Sequence, residues 1–445
     1  MRGFRESISS KRVTVVGAGV SGLSAIRLLL RLGCGKIFVS DKNFPASVNL
    51  EFFSSHGIDF EIGHSARIFN SDLVILSPGV KIGQYPFYSL KDLAIPFMGE
   101  LELGYRFTSG RFIAVTGTNG KSTVVTLISK MLDGAIPAGN IGSPLTEYAF
   151  KEGTFVLEVS SFQLMTIVDF KPDISVITNI DQDHLDWHSS MEEYVRAKYR
   201  IFENQGRDDF LILNYDDELT RRAADIAQSQ VLFFSLKEKL NAYVDGGILT
   251  VSLPDGRKFE IVKARELLVV GEHNIQNALA ASLAAILAGA SPERVREVLK
   301  NFRGLPHRIE FVGEFSGVRV YNDSKATNPH AVRGSLSAFD RNVILILGGE
   351  EKFLDYTPLI PHIKEKVKAI VVFGKNSPTL EQVFKGVSRL LKAKNLKEVV
   401  ELSFEVAEPG DVILFAPGTS SFDMFKNYKE RGERFKDEVK RFIRR

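Results

Sequence analysis

The chain alternates short apolar runs with longer amphipathic stretches, and this alternation repeats three times. VTVV at 13–16 reads as a buried strand, and the SAIRLLLRL that follows a glycine turn reads as a helix. KIFVS and LVILSPG extend the first alternation to about residue 108, a small parallel α/β unit. The second begins at RFIAVTGTNGKSTVVTLISKML and continues through TFVLEVSS, ISVITNID and DFLILN, each an apolar run that ends in polar residues. Such runs suit strands of a parallel sheet, whose carboxyl ends line an active site. ALAASLAAILAGA at 278–290 reads as a buried helix, and ASPERVREVLKNFRGLPHR as a further helix ending at a Gly-Leu-Pro break. NVILILGGEE, AIVVFGK and DVILFAPGTSS form the third alternation. The expected fold class is therefore α/β with three open-sheet domains, at 1–108, 109–303 and 304–445.

Composition narrows this picture only modestly. The 445 residues are 44% hydrophobic and 25% charged, with a formal net charge of +3. Acidic and basic residues interleave, which argues against a nucleic-acid partner. The exception, KNYKERGERFKDEVKRFIRR, is expected to be a solvated helix with a basic end. Cys34 is the only cysteine, so intramolecular disulfides and thiolate metal clusters are excluded. The apolar run at 278–290 is too short to span a bilayer, and MRGFRESISSKR lacks the apolar core of a signal peptide. A soluble protein of the reducing cytoplasm is expected, without membrane insertion.

Two glycine turns carry the chemistry. Gly17-Ala18-Gly19-Val20-Ser21-Gly22 is G-x-G-x-x-G between strand and helix, and Asp41 follows where a ribose-binding carboxylate would stand. Locally this fits a nicotinamide or flavin dinucleotide site. The second turn, Thr116-Gly117-Thr118-Asn119-Gly120-Lys121-Ser122-Thr123, joins a strand to a long helix and has the parts of a triphosphate cradle. Lys121 would neutralise β and γ oxygens and Ser122 would reach magnesium, although Val115 stands where the usual P-loop has glycine. Glu158 closes the strand TFVLE, where a carboxylate can bind a cation directly or through water. His184 sits in a polar turn crowded by Asp181, Asp183 and Asp186. Lys198, in EEYVRAKYRIFEN, reads by itself as a solvated helix lysine.

TGTNGKST, LEVSSFQL, DQDHLD followed by AKYRIF, GEHNIQN, GLPHRIE and NDSKATNP occur in the order found in the Mur ligases, which build the peptide of bacterial peptidoglycan. The resemblance spans essentially the whole chain. It implies a UDP-sugar-binding Rossmann-like domain, a central ATPase domain and a C-terminal Rossmann-like domain that admits an amino acid. GAGVSGL with NDSKATN and PGTSSFDMFKNYKERGERF resembles the branch that joins D-glutamate to UDP-N-acetylmuramoyl-L-alanine. The first glycine turn would then face a uridine diphosphate, with Val20, Ser21, Asp41 and Ser77 at nucleotide positions and Asn140 and His184 at the sugar-peptide part. ATP would meet Gly117 to Thr123, Asn277, Arg308 and Asp323. Two magnesium ions are implied, held by Ser122, Glu158, His184 and a carbamylated Lys198. D-glutamate would meet Thr327, Lys352, Ser421 and Tyr428. By this resemblance Lys121, Glu158, His184 and Lys198 would carry the catalytic roles, closure of the third domain on ATP is expected, and a monomer is favoured. Tyr428 and Met165 depart from the family's usual phenylalanine and acidic residue. Two rival readings stay open at this point, a dehydrogenase and a P-loop switch or motor.

Overall fold

The computed structural model describes residues 8–43, 50–84, 86–181 and 187–444. These form three sheets. The first contains β1 (Arg12–Val16), β2 (Lys36–Asp41), β3 (Asp59–Ile62), β4 (Leu73–Leu76) and β5 (Phe97–Gly99), ordered β3-β2-β1-β4-β5 and parallel throughout. Val13, Val15, Ile37 and Val39 pack against Ala25, Ile26, Leu28 and Leu29 of the helix Val20–Arg31. Chain order reverses between β1 and β4, which opens a crevice at their carboxyl ends.

The second sheet contains β6 (Ser109–Thr116), β7 (Ile136–Gly139), β8 (Glu152–Glu158), β9 (Ile174–Ile177), β10 (Phe210–Asn214), β11 (Gln230–Phe234), β12 (Ala242–Asp245), β13 (Ile248–Ser252) and β14 (Lys258–Lys263). Its order is β14-β13-β12-β11-β10-β9-β6-β8-β7. The strands from β7 to β12 run parallel, and β13 turns back on β12. All four residues of β9, ISVI, are buried, which is why its sequence shows no alternation. The third sheet, β15 (Glu310–Phe315), β16 (Val318–Asn322), β17 (Val343–Gly348), β18 (Val367–Phe373), β19 (Arg389–Lys392) and β20 (Val412–Phe415), has the order β15-β16-β20-β17-β18-β19. Only the β15–β16 pair is antiparallel.

The chain makes two compact units. One holds the first two sheets and runs to Val262, with Gln276–Val298 added. The other is Lys263–Ile275 with Leu299–Arg445 and holds the third sheet. Its last helix, Tyr428–Ile443, is not the fully solvated element its charge suggested. Arg431, Gly432, Phe435 and Val439 form a buried stripe at helical spacing, and the Phe435 ring stacks on Phe415 with centroids 4.2 Å apart.

Within the first unit, the helix Glu100–Phe107 links β5 to β6 and carries two buried acids. Glu102 accepts the N–H groups of Val168, Asp169 and Phe170 and pairs with Arg106 at 2.7 Å. Glu100 is served less fully. Its Oε1 accepts from Thr146, while Oε2 is buried without a hydrogen-bond partner among the described residues. Burial pushes its pKa up from 4.5 to about 6. A folded pKa above the unfolded one means that the native state holds the proton more tightly. That stabilising contribution is complete below about pH 4.5 and is lost as pH rises through about 6. Glu100→Gln lacks this dependence, so it should gain roughly 2 kcal/mol on the wild type between about pH 4.5 and pH 8 in urea unfolding. A difference that stays constant with pH would contradict the assignment.

Candidate active site

The carboxyl ends of β7, β8, β6 and β9 lie side by side, and they carry Asn140, Glu158, the second glycine turn and Asn179 to Asp181. Two glycines shape the turn. Gly117 has φ +143°, and a Cβ there would lie 1.9 Å from Thr178 Oγ1; Gly120 has φ +85°, and a Cβ would lie 2.2 Å from Asn277 Oδ1. No side chain fits at either place, and Asn277 is thereby packed directly against the turn. Asn119 N–H donates to Asn179 Oδ1 at 2.9 Å, and Thr118 Oγ1 lies 3.1 Å from the Tyr194 hydroxyl. Lys121 opens the helix Lys121–Met131 and folds back to donate to the carbonyls of Gly117 and Thr118, both at 2.8 Å. Thr123 follows in the first helical turn, half-buried.

Ser122 Oγ donates to Glu158 Oε2 at 2.6 Å, and Asn140 Nδ2 donates to Glu158 Oε1 at 2.9 Å. Asn140 N–H also donates to the Glu158 carbonyl at 2.8 Å, so Asn140 grips the acid twice. Lys198 lies in the helix Met191–Tyr199 and is 2% exposed, against the solvated position that a helix lysine suggests by itself. Its Nζ donates to Gly117 O at 2.8 Å and sits 4.4 Å from the centre of the Tyr194 ring. An ammonium taken out of water requires such partners, and the carbonyl and the ring face supply them. His184, Asp183 and Asp186 lie outside the described residues.

The hydroxyl and carboxylate of Ser122 and Glu158 are hard oxygen donors already in contact, which suits a magnesium ion. Among the described residues no group of three or more His, Cys, Asp or Glu side chains could hold a metal ion. A cation on this pair would complete its shell from phosphate and water, the usual habit of magnesium beside a nucleotide.

The first glycine turn lines a cleft of about 950 Å³. A Cβ at Gly22 would fall 1.8 Å from Gly17 O, so the helix start presses on the turn. Both Asp41 oxygens accept backbone N–H groups, from Ala18 at 2.6 Å and Asn43 at 3.0 Å, and Ser77 Oγ donates to Gly17 O at 3.0 Å. Val20, Ser21, Asp41 and Ser77 all face this cleft, and so does Asn140 from the second sheet. Pattern reading missed Lys81, His64 and Trp187, which also line it. Lys81 was open to discovery as the cation straight after the β4 turn SPGV. His64 bonds Ser40 Oγ at 2.9 Å, and burial lowers its pKa, which keeps the ring neutral near pH 7.

In the second unit, the adjacent strands β16, β20 and β17 are followed by loops that carry Thr327, Ser421 and Lys352. Tyr428 begins the last helix, and its carbonyl accepts from Ser324 Oγ at 2.8 Å. Lys352 is exposed and Ser421 buried. Arg431, also missed, is wholly buried behind these loops. Its guanidinium donates to Ser324 Oγ and O and to Ser420 O, and burial lowers its pKa to about 10. A signal existed in the adjacent Gly432, because a glycine inside a helical charge run marks a close approach. A Cβ there would lie 2.2 Å from His307 Nδ1. Asp323 is buried and accepts from Ser335 Oγ, and its pKa is pushed up to about 6 by desolvation. Arg308 is exposed between His307 (φ +62°) and Ile309 (φ +42°). Two non-glycine residues held there mark a strained loop.

Residues 12–84 match the family described as MurD N-terminal domain, residues 115–285 the Mur ligase middle domain, and residues 307–419 the Mur ligase, glutamate ligase domain. The UDP-N-acetylmuramoylalanine–D-glutamate ligase of Acidobacterium capsulatum is 42% identical, covering 97% of this chain and 96% of its own. The enzyme of that name from Pelotomaculum thermopropionicum is 39% identical, covering 98% of each. The crystal structure of MurF ligase from Thermotoga maritima in complex with ADP superposes with a TM-score of 0.55 at 16% identity, over 98% of this chain and 97% of that one, a likeness of fold. Three matching domains in order, with this identity along almost the whole length, show that the chain belongs to the Mur ligase family.

Proposed function

We propose that the protein is an ATP-dependent, amide-forming ligase that adds D-glutamate to UDP-N-acetylmuramoyl-L-alanine, a cytoplasmic step in making peptidoglycan precursors. One observation carries this reading beyond kinship. Asn140 lines the cleft of the first glycine turn and also donates to Glu158, which accepts from Ser122 of the phosphate turn. A substrate held by its diphosphate in that cleft thus reaches the place where a triphosphate is held. No dehydrogenase needs the second turn, and no motor needs the first.

Carboxylates are poor acyl donors, so the L-alanyl carboxylate attacks the γ-phosphorus of ATP, forming an acyl phosphate and releasing ADP. The amine of D-glutamate then attacks the acyl carbon, loses a proton, and phosphate departs. Both steps gather negative charge, which calls for cations rather than a nucleophilic side chain. Lys121 leaves its own turn's carbonyls to hold phosphate oxygens, with the N–H groups of Gly117 to Thr123 around them. Ser122 would hold one magnesium ion beside the triphosphate, and Glu158, His184 and a carbamylated Lys198 would hold a second; bound magnesium would supply neutralising charge at the phosphates. Val20, Ser21, Asp41 and Ser77 position the uridine nucleotide, and Asn140 the sugar-peptide. Asn277, Arg308 and Asp323 are assigned to ATP, and Thr327, Lys352, Ser421 and Tyr428 to D-glutamate.

The deciding experiment measures ADP release with each substrate omitted in turn. ADP release beyond a single turnover that requires both UDP-N-acetylmuramoyl-L-alanine and D-glutamate supports the ligase. Release independent of both, or saturable NADH binding that UDP does not compete, refutes it. Lys198 is further expected to add carbon dioxide at its neutral amine, giving a carbamate and a proton. Under 13C-labelled carbon dioxide a carbamate resonance should appear in the wild type and vanish in Lys198→Ala; its persistence in the variant would place the modification elsewhere.

A further inference from the structure

The two walls of the cleft belong to different sheets. The first glycine turn and Ser77 come from one, Asn140 and Trp187 from the other. Catalysis in the ligase reading, on which this inference rests, requires the two walls to stay in register, because displacing a reacting group by about 1 Å can cost roughly a hundredfold in rate.

A buried polar chain crosses between the sheets. Ser24 lies in the helix that the glycine turn opens, and its Oγ is 2.6 Å from Thr146 Oγ1. Thr146 sits in the turn Leu145–Tyr148, shortly after Asn140, and both its hydroxyl and its N–H donate to Glu100 Oε1 at 2.8 Å. Ser24 and Thr146 are 2% and 1% exposed. An ionised carboxylate only accepts, so the Thr146 proton points to Glu100 and the Ser24 proton to Thr146. Little slack remains around this chain. A Cβ at Gly104 would lie 2.8 Å from Thr146 N, so the helix bearing Glu100 presses on the same turn.

We infer that Ser24, Thr146 and Glu100 are positioning residues, a latch that holds the diphosphate turn in register with the Asn140–Glu158–Ser122 chain. Thr146→Val removes the middle hydroxyl at nearly constant shape. The variant should bind UDP alone within about twofold of the wild type, because the turn itself is intact. Its hydroxylamine-trapped acyl phosphate should form about five- to tenfold more slowly, the loss of one hydrogen bond. Thr146→Ser, which keeps the hydroxyl, should restore the rate. Trp187, the chain's single tryptophan, faces Lys81 of the other wall at 6.0 Å, so its emission should shift in Thr146→Val without any ligand. If Thr146→Val does not fold, Ser24→Ala tests the same split. Wild-type emission and rate in a folded variant overturn the latch, and so does UDP affinity that falls in step with rate. If the wild type forms no acyl phosphate while the emission shift appears, the ligase reading fails and the latch stands.

Discussion

Lys121→Ala should lose turnover by about two to three orders of magnitude, the scale seen when one preorganised charge donor is removed from a reacting centre. UDP-N-acetylmuramoyl-L-alanine should still bind with nearly unchanged affinity. The ammonium of Lys121 donates to its own turn's carbonyls, at Gly117 and Thr118, and it is not among the residues that line the cleft of the first turn. Calorimetric titration of the UDP-sugar and an ADP-release assay on the same folded sample separate the two effects. Loss of UDP-sugar affinity would move Lys121 into the other site, and retained turnover would remove it from the phosphate site.

Lys352→Ala should divide the reaction at its midpoint. The exposed ammonium follows β17, beside the loops of Thr327 and Ser421, and is assigned to a carboxylate of D-glutamate. Losing a charge-assisted pair weakens binding by about 1.5–3 kcal/mol, roughly ten- to a hundredfold. The Michaelis constant for D-glutamate should rise by that factor while hydroxylamine still traps acyl phosphate from ATP and the UDP-sugar. Failure of trapping in a folded variant would assign Lys352 to the phosphate end. An unchanged D-glutamate constant would move the amino-acid pocket to other residues.

What could be read from the sequence was whatever is local along the chain. A glycine turn between a strand and a helix is written in consecutive residues, so both turns were visible, as was the apolar strand that presents Glu158; β7, the short strand before Asn140, was not. Partners across sheets were not. Lys198 read as solvent-facing because helical spacing says which residues share a face, not what that face meets; here it meets Gly117 O and Tyr194. Arg431 was hidden for the same reason, since a charge run looks solvated until the loops that cover one stripe are known. The first turn reads as a candidate for a diphosphate but is silent on the nucleotide, because such a turn has the same backbone geometry for any diphosphate; the uridine is what the resemblance to the family implies. Glu100 and Thr146 stand 46 residues apart, and no periodicity joins them.

The second compact unit is written in two pieces, and this limits how relatives can be recombined. Leu268 and Val270, from Lys263–Ile275, pack against the core formed by Val332, Leu345 and Leu414. A gene fragment begun at the Gly304 break would encode every strand of the third sheet and yet omit these side chains. Grafting another C-terminal unit onto this scaffold therefore needs splice points on both sides of the helix that carries Asn277, or a donor whose own residues cover the bare patch.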